Sequence, residues 1–299
     1  MSTSKVIARE GPANPAVQFR RILVATDFSI GARAALDFAL SIAQNFERQI
    51  YLVHAVPTGL LHYVSPEGAA EVIRQAREFA EGEMERLVRE AGCAGRVHEE
   101  IVSGASVWPL LQEFVKSYSI DLLVMGTHGR GATKRKSLGP VAEEIFRLAD
   151  CPVLTVGAEK AAHSGDTRIL FATNFKPHAE FAAQFAYALE REQHAKMTVL
   201  HVVEDELESP EGAHSIVRDF MVNRMRRGMP LSCMGNCEPE FQVRFGDVNE
   251  QILQVAREEQ SDLLVLGMRS GKDVAGQLPS AIAYKLVCQA PCPVLTIRR

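Results

Sequence analysis

The chain lacks the features that mark secreted, membrane-spanning and nucleic-acid-binding proteins. No stretch of its 299 residues approaches the roughly 18 to 20 apolar residues that a membrane helix needs. The N-terminal sequence MSTSKVIAREGPANPAVQF has no apolar core of the kind found in signal peptides. The formal net charge of -4 gives no general reason to expect a nucleic acid or an anionic membrane as partner. We therefore expect a cytoplasmic protein.

Cysteine is also too sparse for a disulfide framework. Six cysteines in a chain of 299 residues predict reduced thiols rather than a set of bridges. Cys233 and Cys237 lie close together in the sequence CMGNC, but no second cysteine pair or nearby histidine pair completes four ligands. The sequence therefore predicts no metal site.

What the chain does contain is enough apolar sequence for two globular domains. Apolar residues make up 46% and charged residues 23%, which is ordinary for a soluble protein, and the length suits two cores. After a polar arm at residues 1–18, which we expect to be flexible, short apolar runs alternate with stretches of helical period. This alternation predicts parallel strands joined by right-handed helical crossovers.

The order of these segments occurs twice. RILFATNF from Arg168 repeats RILVATDF from Arg21, an offset of 168 − 21 = 147. DLLVLG from Asp262 repeats DLLVMG from Asp121 at an offset of 262 − 121 = 141, so the second copy is six residues shorter in its middle. A repeat of this size is a whole domain. We predict a first copy at residues 19–157, a linker at 158–167 and a second copy at 168–299.

A basic, glycine-rich loop in the first copy indicates an anion site. An apolar run ends at Met125, glycines follow with the spacing Gly126-x2-Gly129-x9-Gly139, and a helical pattern begins at Pro140. Backbone N–H groups at such a loop and helix start can converge on phosphate. The spacing matches neither the P-loop nor the dinucleotide fingerprint.

As a set, the motifs ILVATDFS, VHAV, DLLVMGTHGRG and LGPVAEEIFRLADCPVLTV resemble the universal stress protein family, here as a tandem pair. The resemblance implies two tandem open five-stranded parallel-sheet domains of the α/β class. These domains are Rossmann-like three-layer α/β/α structures, similar to the adenine nucleotide alpha hydrolases. Nucleotide-binding members of the family hold ATP across the carboxyl ends of the strands, where open parallel sheets also place their crevice.

The resemblance implies an adenine nucleotide in the first copy, namely ATP with or without Mg²⁺. Asp27 would approach the nucleoside, Ala55 would face adenine through its backbone, and the start of the helix at Pro140 would face the phosphates. Lys134 and Arg135 are further candidates for charge support. The predicted cofactor-binding residues are Ala25, Thr26, Asp27, Ala55, Met125, Gly126, His128, Gly129, Arg130, Gly139, Pro140 and Val141.

Two departures from the family pattern weaken this expectation. Pro140 stands where the family has Ser or Thr, so a hydroxyl and an N–H are missing from the phosphate cradle. In the second copy Asn174 replaces Asp27, Ser270 with the adjacent Gly271 replaces Gly129, and Ser280 replaces Gly139. We predict that the second copy binds nucleotide poorly or not at all.

Some conspicuous residues have plain structural interpretations. His54 and His201 occupy equal positions in the two copies, which favours a role in packing. Asp27 could also form an Asx-turn or a helix cap at the Asp-Phe-Ser corner, which is compatible with a ligand contact.

Three functions remain open. The leading one is a regulatory, ATP-binding protein of the cytoplasmic stress response, and the second is an interaction or scaffold protein whose sites have decayed in both copies. The third is an enzyme that hydrolyses ATP slowly at most. No catalytic residue is predicted, because the sequence shows no evident general base or carboxylate pair. The resemblance also implies that the closing strands, Val153–Val156 and Val294–Ile297, pair within the chain, which would cover their exposed edges. A homodimer and an unknown protein partner stay open.

Overall fold

A computed structural model describes residues 19–43, 48–63, 65–129, 137–157, 167–204, 211–229, 238–269 and 281–299. The predicted N-terminal arm, nearly all of the predicted linker, Cys233 and Cys237 therefore lie outside the described residues. Within the described ranges, no helix is long and apolar enough to cross a membrane.

The first copy alternates strands and helices as the apolar pattern predicts. The long second helix begins after Ser65, whose side chain accepts a hydrogen bond from the N–H of Gly68 at 3.2 Å, and it ends at Gly92 with a left-handed φ of 60°. The elements are β1 (Arg21–Ala25), α1 (Ile30–Ala43), β2 (Gln49–Pro57), a short 3-10 helix (Gly59–Tyr63), α2 (Pro66–Ala91), β3 (Val97–Gly104), α3 (Val107–Ser117), β4 (Leu122–Gly126), α4 (Pro140–Leu148) and β5 (Val153–Val156).

The second copy repeats this order. Its elements are β6 (Arg168–Ala172), α5 (Pro177–Gln193), β7 (Lys196–Val203), α6 (Glu211–Arg227), β8 (Glu240–Phe245), α7 (Val248–Glu258), β9 (Leu263–Met268), α8 (Ala281–Gln289) and β10 (Val294–Arg298).

The ten strands of the described residues form one sheet, in the order β3-β2-β1-β4-β5-β10-β9-β6-β7-β8. Every pair within a copy is parallel, which confirms the predicted fold class, and β5 pairs antiparallel with β10. The sequence did not predict how completely the two five-stranded sheets merge. In each copy the strand order reverses at the first strand, so β1 lies between β2 and β4.

Buried threonines complete the junction between β5 and β10. The hydroxyl of Thr155 donates to the carbonyl of Val294 at 3.2 Å, and the hydroxyl of Thr296 donates to the carbonyl of Val153 at 3.1 Å. Both threonine side chains are buried, so each polar group needs the partner that the opposite strand supplies.

The hydrophobic core continues across this junction on both faces of the sheet. On one face α1, α2, α5 and α6 pack on the strands, and on the other face α3, α4, α7 and α8 do so. Ring pairs link the two copies on each face: Phe19 stacks on Phe185 at 5.7 Å, and Phe146 meets the edge of Tyr284 at 6.0 Å. The two copies therefore share one continuous interior.

One buried ion pair also joins the copies. The guanidinium of Arg48, before β2, pairs with the carboxylate of Glu192 near the end of α5, and their side chains are only 2% and 7% exposed. Arg48 also donates to the carbonyl of Ile42. Removing one member of such a pair leaves the other charge buried without compensation.

We therefore expect Arg48→Met to lower the free energy of unfolding by about 3–5 kcal/mol, measured by urea denaturation. The matched control is Arg244→Met, which breaks the ion pair between Arg244 and Glu258. Because these two side chains are 36% and 43% exposed, this substitution should lower the free energy of unfolding by about 1 kcal/mol or less. Adding Glu192→Leu to Arg48→Met should recover part of the loss. A loss no larger than that of the control would contradict this assignment.

Candidate functional site

A cleft opens at the carboxyl ends of the first copy's central strands. Its volume is about 190 Å³, and it lies where β1, β2 and β4 end, beside the first turns of α3 and α4. This is the point at which the strand order reverses, the usual ligand position in an open parallel sheet. The lining residues are Ala25, Thr26, Asp27, Ala32, Val53, His54, Ala55, Val107, Leu111, Met125, Gly126, His128, Gly129, Gly139, Pro140, Val141, Ala142 and Ile145.

Every predicted site residue that the structure describes lines this cleft. The predicted set comes from the ends of three strands and from the start of α4, which are far apart in sequence. Arg130, Lys134 and Arg135 lie outside the described residues. The structure thus brings together the groups that the sequence assigned to one site.

The apolar wall of the cleft was not in the predicted set. Val107 and Leu111 lie one turn apart on α3, and Ile145 lies on α4. The order of the elements could have predicted these residues. Because α3 connects the end of β3 to the start of β4, it begins at the sheet edge where the cleft opens. A wall of this kind suits the faces of a planar ring.

A fixed backbone corner positions Asp27. Its Oδ1 accepts a hydrogen bond from the N–H of Ser29 at 3.1 Å, and the hydroxyl of Thr26 accepts one from Phe28 at 3.0 Å. Phe28 has a φ of 63°, which is unusual for a side chain of its size. The predicted Asx-turn is confirmed. Oδ2 faces the glycine loop, since a Cβ added to Gly129 would lie 2.5 Å from it.

His54 supports this corner from β2. Its Nδ1 lies 2.8 Å from the carbonyl oxygen of Thr26, and its ring centroid is 4.5 Å from that of Phe28. Because a carbonyl only accepts, Nδ1 carries the proton. In the second copy His201 makes the same contact with Thr173 at 2.8 Å, and burial lowers its pKa. The packing role predicted for both histidines is confirmed, although His54 also lines the cleft.

Gly126 is required by helix packing as well as by the cleft. A Cβ at this position would lie 2.7 Å from the carbonyl carbon of Gly31 and 2.9 Å from the N of Ala32, at the start of α1. In the second copy a Cβ at Gly267 would collide with the backbone of His178 at the start of α5. The retention of glycine in both copies is therefore explained by the approach of a helix to a strand.

The start of α4 presents backbone donors to the cleft. Gly139 is the N-cap residue but supplies no capping side chain, and its own N–H donates to Thr127 at 3.0 Å. As predicted, Pro140 occupies the first helical position, where its missing N–H costs the helix nothing. Val141 and Ala142 line the cleft, and their N–H groups have no acceptor within the helix. These two donors and the helix dipole favour an anion.

The cleft offers little for metal-ion catalysis. Asp27 is the sole carboxylate among the described residues that line it. Elsewhere in the described ranges, no three His, Cys, Asp or Glu side chains are grouped to hold a metal ion. A single carboxylate suits hydrogen bonds from hydroxyl or amino groups of a ligand.

The corresponding corner of the second copy is occupied differently. Asn174 Oδ1 accepts from the N–H of Lys176 at 3.1 Å, while its Nδ2 lies 3.3 Å from Nε2 of His178. Burial lowers the pKa of His178, which favours the neutral ring that can accept this contact. Since 178 − 147 = 31, His178 stands where the first copy has Gly31. Ser270, Gly271 and Ser280 lie outside the described residues.

Comparisons with known proteins identify relatives of both copies. A universal stress protein of Methanocaldococcus jannaschii is 29% identical over 146 residues, 48% of this chain and 84% of that protein. A universal stress protein of Mycobacterium tuberculosis is 25% identical over 293 residues, 93% of this chain and 96% of that protein.

Structure and family models agree with these relatives. A crystal structure of a universal stress protein from Archaeoglobus fulgidus superimposes with a TM-score of 0.70 at 18% sequence identity. The alignment covers 95% of this chain and 100% of that chain, so the two proteins share a fold. The model of the universal stress protein family matches twice, at residues 18–157 and 167–298. The chain therefore belongs to the universal stress protein family.

Proposed function

We propose that the first copy binds an adenine nucleotide, ATP, and that the protein is a nucleotide-dependent regulator in the cytoplasmic stress response. The observation that carries the proposal is the convergence of Asp27 and the start of α4 on one cleft at the reversal of strand order. A carboxylate at one end and N–H groups that have no acceptor within α4 at the other match a nucleoside and its phosphates.

The nucleoside end of the cleft is the better formed. Adenine would lie between the ends of β1 and β2, with Ala25 and Ala55 facing it through their backbone and Leu111 behind it. Asp27 keeps Oδ2 directed toward the loop side, where it can accept hydrogen bonds from ribose hydroxyls. The Asx-turn holds this carboxylate in place before the ligand arrives.

The phosphate end is weaker. The N–H groups of Val141 and Ala142 are available, but Pro140 removes one donor and the family hydroxyl. Hydrogen bonds to a charged group contribute roughly 1.5 to 3 kcal/mol each. Mg²⁺, if it accompanies ATP, would be held chiefly by phosphate oxygens and water. Binding without chemistry is the function that this residue set supports.

We propose that the two repeats act as two domains, and that the second serves as a pseudo-symmetric partner rather than a second site. Asn174 lacks the charge of Asp27, and its amide lies against His178. The pairing of β5 with β10 makes the chain an intramolecular counterpart of a dimer. A scaffold without nucleotide is the competing function, favoured by Pro140 and Asn174.

Calorimetric titration of the full chain with ATP should give one bound nucleotide per chain. Asp27→Asn keeps an oxygen for the N–H of Ser29 but removes the charge, and it should weaken ATP about tenfold. Asn174→Ala, the matched control in the second copy, should leave the affinity unchanged. Two bound nucleotides would refute the role of the second copy, and no heat at millimolar ATP would favour the scaffold.

Pro140→Ser restores an N–H and a hydroxyl at the first helical position. Because each hydrogen bond to a phosphate oxygen is worth roughly 1.5 to 3 kcal/mol, ATP should bind about tenfold or more tightly. Adenosine, which has no phosphate, should bind as before. Equal gains for both ligands would mean that the start of α4 does not face the phosphates.

Gly129→Ala places a methyl group 2.5 Å from Oδ2 of Asp27 and should displace that carboxylate. We expect adenosine and ATP to lose affinity together, about tenfold, in competition binding. Gly139→Ala is the matched control, since its added Cβ meets no atom of the described residues closer than 3.7 Å, and it should affect ATP more than adenosine. An unchanged adenosine affinity in Gly129→Ala would exclude Asp27 from the nucleoside end.

A further inference from the structure

We propose that Tyr284 and Cys288, on α8 of the second copy, are positioning residues for the phosphate end of the first copy's cleft. They act through the backbone of Leu138, the residue that precedes Gly139 and the start of α4. This inference rests on the proposed function, because it assigns part of the same nucleotide site to the other copy.

The junction of β5 and β10 brings α8 beside α4. The Tyr284 ring meets the buried ring of Phe146, on α4, at 6.0 Å and an interplanar angle of 64°. Tyr284 and Cys288 lie one helical turn apart, and the backbone of Leu138 is close enough to both side chains to lower their pKa, against the larger effect of burial. Two side chains of one copy therefore contact the other copy's chain at a single residue.

Both side chains remain neutral at this contact. Burial raises the pKa of the Tyr284 hydroxyl and also that of the Cys288 thiol, so both groups keep their protons at neutral pH. They act as hydrogen-bonding groups and bring no charge to the start of α4. Their effect on an anion must therefore come from the position of the backbone.

Leu138 is a sensitive place for such a contact. Its side chain is buried, and the next residue, Gly139, is the N-cap of α4, whose residues Val141 and Ala142 line the cleft. Neither Gly139 nor Pro140 can cap the helix with a side chain. The path of the backbone into α4 is therefore held by contacts around it, and α8 supplies two of them.

The contact runs in one direction. The residues of the first copy that correspond to Tyr284 and Cys288 are Glu143 and Arg147, since 284 − 141 = 143 and 288 − 141 = 147. The counterpart of Leu138 is residue 279, because 138 + 141 = 279, and this is Pro279, which lies outside the described residues. Proline has no backbone N–H, so the second copy cannot receive an N–H contact of this kind.

The test compares ATP with adenosine in the full chain. Tyr284→Phe keeps the ring on Phe146 and removes the hydroxyl, and Cys288→Ala removes the thiol. The double variant should bind ATP about three- to tenfold more weakly, the scale of one ordinary hydrogen bond, while adenosine affinity stays unchanged. Lys285→Ala, an exposed neighbour on α8, is the control and should change neither affinity.

The outcomes separate this inference from the proposed function. Wild-type protein that binds ATP, with unchanged ATP affinity in the double variant, overturns the positioning role and leaves the nucleotide site intact. An equal loss for ATP and adenosine also overturns it, because a general loss of structure would produce that result. Wild-type protein that binds neither ligand refutes both proposals.

Hydrogen exchange provides a readout that needs no nucleotide. The amides of Leu138 and Gly139 should exchange faster in the double variant than in wild type, while those of β4 stay unchanged. Unaltered exchange at both amides would show that α8 does not hold this segment, and it would overturn the inference whatever the ATP result.

Discussion

The antiparallel pairing of β5 with β10 is the constraint on which the rest of the structure depends. It converts two five-stranded sheets into one and carries both hydrophobic layers across the junction. The hydroxyls of Thr155 and Thr296 cross the junction in opposite directions, so the local twofold relation is satisfied without a buried unpaired group. The same pairing brings α4 beside α8 and thereby lets one copy contact the site of the other.

The two copies keep the same backbone corner and differ in what it holds. Thr26 and Thr173 each accept from the N–H two residues on, and Phe28 and Phe175 share a positive φ. This corner is a property of the fold, because it persists where Asp27 has become Asn174. At this corner the two copies therefore differ in the side chain that an unchanged turn carries.

Local patterns predicted most of the elements and the membership of the cleft. Parallel strands ending at one edge bring Ala25, Ala55 and Met125 together whatever the details of packing. Contacts between distant segments were not predictable in this way. The approach of Tyr284 to Leu138 depends on helix positions that are set by the whole sheet, and no spacing in the sequence encodes it.

Pro140 connects these observations. Its fixed φ defines the first turn of α4 without a cap, so the helix loses no stability, but a bound phosphate loses a donor. Contacts from α8 can restrict where Val141 and Ala142 point, which reduces the ordering cost of binding, yet they cannot replace the missing hydrogen bond. That bond is worth roughly 1.5 to 3 kcal/mol. A nucleotide in this cleft would therefore gain most of its binding free energy from Asp27 and the apolar wall. The smaller contribution of its phosphates would depend on the contacts that the second copy makes with the start of α4.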